Sequence, residues 1–512
     1  MTATALLTPF YETGEHHYAQ LFEPSKPRSL KDVIHVVTGL GHLVSRMTDD
    51  GTRVCKEEKV ERAIDAGYTY FGQFVDHNLT DDQSGVGDVW AFKLRPQDIL
   101  NVRSPRLDLG QLYGRGPWDA TDKQLYEPRG VKLKVGAKIQ STLDPSAPPR
   151  SFDIAVEKKK FLVADQRAGE NIILRQITAV FARLHNQAVK QFSKSAGSLR
   201  ELFERARLHT TWQFQHLVCA DYLQQVLDPT VYASLFVPQR PGQLGTPMQP
   251  GTSLIRWKSF SIPAEFSAAA MRFGHSMVRN SYRLRTDGAA LNLSQLLKVG
   301  RSRRALPAEL EIEWARFFTV SGGGTGPVAA RPIDTRISDG LHQLPPQVLR
   351  LFNTGTVGLP PFIPIPQLAL PLITLLRGLG LRLASGQQVA AAFGHPVLTT
   401  ELALDCRGNR TPQGEILEQF GLTTDTPLWY YILKESEMQK DGSEFLNGNY
   451  LGATGSRLVG ETIHAALMTD PLSIWRHPDT TAAGDFPDWD IGGRTRKLDN
   501  LGMLFGVAPQ LE

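Results

Sequence analysis

The chain has 512 residues, of which 41% are hydrophobic and 21% are charged. These fractions are typical of a folded globular protein with a sizeable core, and they exclude extended disorder. The formal net charge is only +4 at pH 7. The basic runs EKKK (157–160) and RSRR (301–304) are short and contain no aromatic residues. We therefore interpret both runs as solvated surface and expect no nucleic-acid partner.

The cysteines and the first residues bear on the cellular compartment. Cys55, Cys219 and Cys406 lie far apart with no paired spacing, so the sequence indicates neither a disulfide framework nor a zinc site built on cysteines. The N-terminal residues lack the basic start and sustained apolar run of a secretory signal. We therefore expect a reducing compartment, with the cytoplasm as the location, and leave non-standard export open.

The most apolar region is 359–381, which contains five prolines and Arg377. It offers no uninterrupted apolar span of about 18 residues, so we expect no transmembrane helix. Whether this region contacts a membrane surface or packs inside the protein is left open, as is the oligomeric state.

The first helix that bears on function is predicted between Lys59 and Leu79, where apolar residues recur at near-helical spacing until the polar segment TDDQSG. Residues 1–30 show no periodicity, and we interpret them as an arm laid over a single catalytic domain of residues 31–512. Residues 80–160 are rich in Pro, Gly and Asp, which predicts long loops with brief helices.

Helical patterns dominate the remainder of the chain. A long apolar stripe predicts a helix over Arg167–Lys194, and the Ser-x-x-Glu pattern at Ser198 predicts a capping box at the start of a second long helix that ends near Leu227. Further helices are predicted over Pro263–Arg279, 367–393 and 456–470. The fold class is therefore predicted to be all-α, with long loops.

Two common catalytic motifs are missing and a third is incomplete. The glycine run SGGGTGP (321–327) lacks the Gly-Lys-Ser/Thr ending of a phosphate-binding loop, so we interpret it as a flexible connection. The sequence also has no Gly-x-Ser-x-Gly elbow and no His-Glu-x-x-His zinc helix, so hydrolase chemistry has no motif support.

Three short segments carry reactive side chains at helical spacing. Gln73, Asp76 and His77 would share one helical face. The segments DQRAGEN (165–171) and MRFGHSM (271–277) each add an arginine close to another reactive group. A buried histidine satisfied by a neighbouring aspartate would explain the first segment alone, but the three together predict a haem pocket. One histidine would ligate iron, arginines would pair with the propionates, and a second histidine would act as acid and base.

The order of these motifs resembles that of the animal-type haem peroxidases, in the peroxidase–cyclooxygenase superfamily, and is most similar to the bacterial members. The resemblance runs from about residue 30 to about residue 475. It implies that GQFVDH (72–77) supplies the distal side, with His77 as the acid-base residue beside Gln73, and that Arg167 is the distal arginine. It also implies ester links from Asp76 and Glu170 to methyl groups of a haem b derivative.

On the proximal side the resemblance implies that His275 is the axial ligand of the haem iron. Arg272 and Arg377 would pair with the propionates. The family's asparagine beside the proximal histidine is replaced by Thr374, so a hydroxyl dipole takes the place of an amide dipole next to His275, and the iron potential is left open. The methionine that forms a sulfonium link in some members is Asn171 here, so no such link is expected.

The family's calcium site is altered. An aspartate that follows the distal histidine is Asn78 here, and the family's calcium loop is represented by Ser104, Arg106, Asp108 and Gly110. A single carboxylate remains for a hard cation. We therefore expect calcium binding to be weak or lost.

The activity implied is oxidation of small organic donors, halides or pseudohalides by hydrogen peroxide, through a ferryl intermediate. A fatty-acid dioxygenase is the nearest alternative, but those oxygenases carry a tyrosine where this chain has Arg272, and Tyr68, Tyr70 and Tyr113 lie elsewhere in the motif order. A non-enzymatic haem carrier is a third alternative, which would need no pair like His77 and Arg167.

Overall fold

The structure is a computed structural model of the chain. It describes residues 16–26, 28–48, 63–82, 95–128, 130–139, 151–236, 254–255, 260–321, 326–344, 369–441, 444–445, 448–477 and 488–511. Cys55, most of the glycine run 321–327 and positions 359–368 of the apolar region lie outside these residues.

Helices make up most of the described structure, which confirms the prediction of an all-α fold. The α-helices are α1 Leu30–Arg46, α2 Ala66–Leu79, α3 Gly110–Tyr113, α4 Ile172–Phe192, α5 Leu199–His216, α6 Leu223–Val226, α7 Pro229–Phe236, α8 Ala264–Ala268, α9 Gly274–Met277, α10 Leu293–Gly300, α11 Asp339–His342, α12 Leu370–Gly380, α13 Gly386–Phe393, α14 Pro412–Gln419, α15 Leu428–Met438, α16 Ala453–Thr469 and α17 Leu501–Val507.

The strands are short and form two-stranded antiparallel sheets that connect loops. They do not build a layer of the fold in the part of the chain that the structure describes. The pairs are β1 His16–His17 with β2 Leu100–Asn101, β3 Val135–Ile139 with β4 Ser151–Ile154, β5 Val156–Glu157 with β6 Lys160–Phe161, β7 Ser281–Arg283 with β8 Ala290–Asn292, β9 Lys440–Asp441 with β10 Glu444–Phe445, and β11 Trp489–Ile491 with β12 Arg494–Arg496.

Helix α2 is buried on nearly every side, as expected of a helix that is apolar around most of its circumference. Its Phe71 and Phe74 stack against Phe181 of α4 and meet Phe214 of α5 edge-on. These aromatic contacts fix α2 against the two long helices and leave Gln73, Asp76 and His77 on the side that faces away from the aromatic cluster.

Helix α4 begins later than the sequence predicted. Arg167 lies in a 3₁₀ turn over Gln166–Gly169, and the α-helix starts after Asn171, whose side chain accepts a hydrogen bond from Leu174 N. An asparagine is a favoured N-cap because its side-chain oxygen satisfies a free backbone N–H. Arg167 and Glu170 therefore precede the long helix instead of belonging to its first turns.

The second long helix is confirmed, and it contains a π-helical turn. Ser198 caps α5 by accepting from Glu201 N, while the Glu201 carboxylate accepts from Gly197 N instead of closing the predicted capping box. After α5 the chain continues through a π turn, Leu217–Tyr222, into α6. Such turns are frequent at functional sites.

The predicted continuous helix over Pro263–Arg279 is wrong, because the chain breaks at Ala269. Ala269 has φ −135° and ψ −68°, outside the helical region, and it separates α8 from a 3₁₀ turn over Ala270–Phe273 and from α9. The break matters because the two turns after it carry Arg272 and His275.

The apolar region after residue 368 packs inside the protein. Most of α12, including Thr374 and Arg377, is buried, and α12 contacts α1, α8 and α15. No helix among the described residues combines the length and the apolarity that crossing a membrane requires.

One cysteine differs from the expectation. Cys406 is disulfide-bonded, whereas Cys219 is a buried free thiol. The expectation that the cysteines form no disulfide is therefore wrong for Cys406. Because disulfides persist mainly in oxidising compartments, the cysteines no longer indicate a reducing compartment.

A buried ion pair joins α4 to strand β4, and its guanidinium also donates to the segment after α10. The Arg175 guanidinium donates to both carboxylate oxygens of Asp153, at 2.5 and 2.6 Å, and to the carbonyl oxygens of Ser302 and Arg304. Its side chain is fully buried. Every contact here is charge-assisted, so the pair holds its partners in one geometry.

Replacing Arg175 with Met should lower the free energy of unfolding by about 3–5 kcal/mol, because it leaves the Asp153 carboxylate buried without a counter-charge. The measurement is the urea unfolding midpoint. Arg205→Met is the control: its pair with Glu201 is far more exposed and should contribute less than about 1 kcal/mol. Equal losses of stability in the two variants would contradict a large contribution from the buried Arg175–Asp153 pair.

Candidate haem site

A cavity of about 240 Å³ opens beside α2, between the 3₁₀ turn at Arg167 and the broken helix at Ala269. Its wall contains almost all of the residues that the sequence assigned to a haem: Gln73, Asp76, His77, Arg167, Glu170, Arg272, His275 and Arg377. Residues from four distant segments thus meet at one cavity. The exception is Thr374, which lies behind His275.

Gln73 connects the two carboxylate-bearing segments of the wall. Its Nε2 donates to Glu170 Oε2 at 2.8 Å, and its Oε1 accepts from Asn171 Nδ2 at 2.9 Å. The same Glu170 oxygen lies 3.6 Å from His77 Nε2. Since both ends of the Gln73 amide are used, its orientation is fixed, and it holds Glu170 beside the histidine.

The environment keeps His77 neutral. Burial lowers the pKa of His77 well below its ordinary value, and the positive charge of Arg167 lowers it further, against a smaller opposing effect of Asp165. A neutral imidazole can accept a proton at neutral pH. His77 is therefore suited to act as a base.

A buried carboxylate, Asp165, holds Arg167 in place. Arg167 donates to Asp165 through Nε and through Nη2, the latter at 2.7 Å, and Arg103 Nη2 lies 2.7 Å from the same carboxylate. Burial alone would raise the pKa of Asp165, but the two guanidinium groups outweigh it and the net pKa is strongly lowered. Asp165 therefore remains charged and fixes both arginines.

Arg167 also caps the helix that carries the distal histidine. Its Nη2 donates to the carbonyl oxygens of His77, at 3.3 Å, and of Thr80, at 2.8 Å. A cation at a helix C-terminus satisfies free carbonyl groups and interacts favourably with the helix dipole. Arg167 and His77 are consequently positioned by each other as well as by Asp165.

The two predicted ester-forming carboxyl groups both have a raised pKa. Burial is the largest cause of a raised pKa at both sites, and it takes Glu170 to about 7 despite the opposing charge of Arg167. Asp76 accepts from Thr80 Oγ1 at 3.0 Å. Both carboxyl groups face the cavity, where a prosthetic group could react with them.

On the opposite side His275 is oriented by Thr374. Thr374 Oγ1 donates to Leu370 O at 3.1 Å and lies 3.5 Å from His275 Nδ1, so its remaining lone pair is available to accept the Nδ1 proton. That tautomer leaves Nε2 unprotonated, as a metal ligand requires. Burial lowers the pKa of His275 to about 3, with a further contribution from Arg272, so the ring is neutral.

The two proposed propionate arginines are anchored differently. Arg272 Nε donates to Ser267 O at 2.9 Å, and its own carbonyl accepts from Trp429 Nε1 at 3.0 Å. Arg377 forms an ion pair with Asp82. Burial lowers the pKa of both arginines, so an anionic ligand would compensate two desolvated cations.

These residues fit a haem. Its iron would meet a neutral imidazole with a free Nε2, its propionates two buried cations, and its methyl groups two buried carboxyl groups. A Cβ placed on Gly274, beside His275, would meet no atom within 4 Å. The cavity wall is therefore open where the macrocycle would need room.

At the calcium position the Asp108 carboxylate is already occupied by protein donors. It accepts from Ser104 Oγ at 2.6 Å, Gly110 N at 2.8 Å and Asn78 Nδ2 at 3.3 Å. Burial raises the pKa of Asp470 to about 6, against an opposing effect of the nearby Arg106. Within the described ranges, no group of three or more His, Cys, Asp or Glu side chains could hold a metal ion. Weak or absent calcium binding stays a prediction, and its test is given below.

Sequence reasoning assigned no role to four residues that shape the site. Asp165 stands in the quoted segment DQRAGEN, but its pairing with Arg103 crosses more than sixty positions and has no local signal. Trp429 supports Arg272, and Tyr18 lines the cavity from the arm. Of the three tyrosines weighed earlier, Tyr68 and Tyr70 line the cavity; Tyr113 instead contacts His185 Nδ1 at 3.2 Å.

Comparison with known proteins shows what this arrangement is similar to. Residues 83–302 match the family model described as animal haem peroxidase. The predicted resemblance to the animal haem peroxidases is confirmed. The match includes Arg167, Glu170 and His275, whereas His77 and Arg377 lie outside it.

One curated relative and several solved structures extend this comparison. A peroxidase-like protein of Margaritifera margaritifera is 28% identical over 305 residues, which are 50% of this chain and 36% of that protein, so the match spans about a third of its length. Peroxidase A of Dictyostelium discoideum has a TM-score of 0.58 at 14% identity, over 92% of this chain and 90% of that one.

A fatty acid alpha-dioxygenase of Oryza sativa has a similar fold, with a TM-score of 0.60 at 13% identity. The alignment covers 92% of this chain and 78% of the dioxygenase. At this level of identity both structures show the fold alone. The shared fold therefore includes a peroxidase and a dioxygenase.

Removal of calcium should leave the protein unchanged, because Asp108 already accepts hydrogen bonds from the protein. We expect the thermal midpoint after treatment with a calcium chelator to equal that of the untreated protein. Added Ca²⁺ after chelation serves as the control and should have no effect either. A large fall in the midpoint on chelation, restored by Ca²⁺, would show that a calcium site survives.

Proposed function

We propose that the chain is a haem peroxidase, which uses hydrogen peroxide to oxidise small organic donors or halides and pseudohalides. The observation that carries the proposal is that His77 and Arg167 line the same cavity as His275. A neutral base and a fixed cation thus face a neutral imidazole with a free nitrogen. Neither composition nor fold alone would require that combination.

His275 would hold the haem iron through Nε2, with Thr374 on the other nitrogen, while Arg272 and Arg377 would bind the propionates. When bound, the haem supplies an iron centre that can accept oxidising equivalents from peroxide and pass them to a donor. The His275 imidazole is kept neutral by burial and oriented by the Thr374 hydroxyl instead of an amide. Thr374 would therefore tune the electron donation of His275 to a bound metal.

The distal residues are arranged to move a proton. His77 Nε2 takes a proton from hydrogen peroxide and returns it to the leaving oxygen, which is general base and then general acid catalysis. Arg167 remains charged throughout and stabilises the negative charge that develops on the leaving oxygen. Gln73, fixed by Glu170 and Asn171, keeps the groups beside His77 in one orientation and can position a water or an anion.

Asp76 and Glu170 are proposed to form ester links to the haem. An ester to a haem methyl group needs a carboxylate at the cavity wall and a two-electron oxidation of the methyl carbon. Both residues would supply the carboxylate, and hydrogen peroxide would be the oxidant and be reduced to water. The raised pKa values of the two residues reflect the unfavourable burial of a charge. Esterification removes that buried charge, so the links would also stabilise the holoprotein.

Position 272 separates the peroxidase from the dioxygenase alternative. The oxygenases of the family that this sequence resembles carry a tyrosine three residues before the proximal histidine. This chain has Arg272 at that position. Tyr68 and Tyr70 line the cavity, but Tyr68 donates to Asp221 at 2.7 Å and Tyr70 packs against Tyr282. A haem carrier would have no use for a fixed Arg167 beside a neutral His77.

The donors can be ordered by how readily they are oxidised. Phenolic and other aromatic donors come first, because one-electron oxidation needs only a route to the haem edge. Iodide, thiocyanate and bromide come next. Chloride comes last, because Asn171 cannot form a sulfonium link: it caps α4 and donates to Gln73.

The ester links should make the haem inseparable from the polypeptide. After incubation of the haem-loaded protein with peroxide, acidified organic solvent should leave haem in the protein fraction. Asp76→Ala combined with Glu170→Ala should release it, since no carboxyl group then remains for a bond; protein never exposed to peroxide is the control. Complete extraction of haem from the peroxide-treated wild type would refute the covalent proposal.

His77→Ala should slow the reaction with peroxide by about 10²–10⁴-fold while haem remains bound, because a general acid-base group is lost. In the wild type the pKa of His77 is well below 6.5, so His77 stays unprotonated between pH 8 and 6.5. Protonation of His77 should therefore cause no loss of rate in that range. Stopped-flow measurement of the peroxide reaction against pH tests both statements.

Glu170→Gln is the matched control for the pH profile. A bend near pH 7 in protein without ester links belongs to the Glu170 carboxyl group, whose pKa is about 7, and it should vanish in this variant. An acid limb near pH 6.5 that persists in Glu170→Gln but disappears in His77→Ala would contradict the neutral assignment of His77.

The decisive test of the function compares peroxide-dependent turnover of each donor with oxygen uptake in the presence of unsaturated or saturated fatty acids. We expect donor turnover with phenols and iodide and little oxygen uptake. Arg272→Tyr provides a sharp comparison, because it places a tyrosine at the dioxygenase position. Stoichiometric oxygen uptake by the wild type without donor turnover would favour the dioxygenase.

A further inference from the structure

The arm at the start of the described chain forms part of the cavity wall. His16 and His17 pair as a strand with Leu100–Asn101, and Ala19 exchanges backbone hydrogen bonds with residues on either side of Pro263, at 2.9 and 2.8 Å. Two residues further on, the Glu265 carboxylate accepts from Leu21 N and Phe22 N. Tyr18 lies between these attachments.

The far end of the arm is attached to the α12 side of the site. Ser25 N donates to Arg382 O at 2.9 Å, and Ser25 O accepts from the Arg382 guanidinium at 2.7 Å. Phe22 meets the ring of Phe393 edge-on at 5.6 Å. The arm is thus fixed before and after Tyr18, so the direction of the Tyr18 side chain is determined by the backbone.

The hydroxyl of Tyr18 is buried without a hydrogen-bond partner. The residue is 3% exposed and lines the cavity, and its Oη has no acceptor or donor among the described residues. A buried hydroxyl that makes no hydrogen bond is destabilising, and native proteins rarely leave one unless a ligand completes it. The cavity is where that ligand would lie.

The charges around Tyr18 identify the ligand chemistry. Tyr18 is close enough to interact electrostatically with both Arg272 and Arg377. Burial raises the pKa of Tyr18, which keeps the phenol protonated and able to donate. A donor beside two guanidinium groups suits an anionic oxygen acceptor, and a carboxylate is one that can accept from all of them.

We propose that Tyr18 donates a hydrogen bond to a haem propionate beside Arg272 and Arg377, and that the arm of residues 16–26 is therefore a component of the haem site. The inference rests on the haem binding proposed above. It assigns a cofactor contact to a residue far from the haem motifs in sequence. It also couples docking of the arm to haem binding, since each completes the other.

The test is titration of haem-free protein with haemin, followed by the Soret absorption, in the wild type and Tyr18→Phe. We expect the substitution to weaken haemin binding by about 10-fold, as for loss of a hydrogen bond to a charged group. The same substitution should weaken the binding of haemin dimethyl ester much less, because the esterified propionates carry no charge. Equal affinities of wild type and Tyr18→Phe for haemin, or equal losses for haemin and its ester, would overturn the proposal.

Thermal unfolding of the haem-free proteins gives a second readout of opposite sign. Tyr18→Phe removes an unpartnered hydroxyl, so its haem-free form should unfold at the same temperature as the wild type or at a higher one. Tyr126→Phe is the matched control: its hydroxyl donates to Tyr113 O at 2.6 Å outside the cavity, so its loss should lower stability and leave haemin affinity unchanged. A lowered midpoint for haem-free Tyr18→Phe would show a structural role instead.

The same titration separates this proposal from the proposed function. Wild-type protein that binds no haemin refutes the haem site itself, and with it the role of Tyr18. His275→Ala, which removes the proposed iron ligand, should bind haemin weakly and with an altered Soret band even though Tyr18 is present. Wild-type binding that is lost in His275→Ala but unaffected in Tyr18→Phe would leave the haem site standing and refute the propionate contact.

Discussion

The distal side of the site depends on the buried carboxylate of Asp165. It accepts hydrogen bonds from Arg167 and lies within ion-pair distance of Arg103. These two arginines contact the end of α2, the loop at Asp81 and the segment before α4. Two buried cations in one place would repel each other without this anion. Together with Asp81, whose carboxylate lies 3.4 Å from Arg103 and 3.7 Å from Arg167, Asp165 therefore joins three parts of the chain that are distant in sequence. The position of His77 follows from their junction.

Burial has opposite chemical effects on the groups around the cavity. It lowers the pKa of His77 and His275, so the imidazoles are neutral, and it raises the pKa of Asp76 and Glu170. Arg167 escapes this trend because Asp165 compensates it. On the distal side, a neutral histidine beside a compensated cation allows a proton to move without creating an unpaired charge.

The sequence predicted the helical class and the residues around the cavity, because both depend on local signals. Helical spacing placed Gln73, Asp76 and His77 on one face, and the motif order brought in Arg167 and His275. What could not be predicted depends on long-range contacts. The break at Ala269 occurs within a helix-favouring alanine run, and the pairing of Asp165 with Arg103 leaves no periodic trace. Tyr18 lies in a segment without any pattern, and only its backbone pairing with distant strands places it in the cavity.

The π-helical turn after α5 has a consequence for the length of this part of the chain. Phe214 and Tyr222 both contact the ring of Phe71, although they are eight residues apart. Eight residues fill two turns if one is an α turn of about 3.6 residues and the other, with its longer hydrogen bonds, holds roughly one residue more. The Tyr222 hydroxyl then fits against Gly72, where a Cβ would come within 2.5 Å of it. Loss of one residue between Leu217 and Tyr222 would restore an ordinary helix and rotate one of the two rings away from Phe71. A substitution at these positions changes one side chain, whereas an insertion or deletion changes the direction in which every following side chain of the helix points.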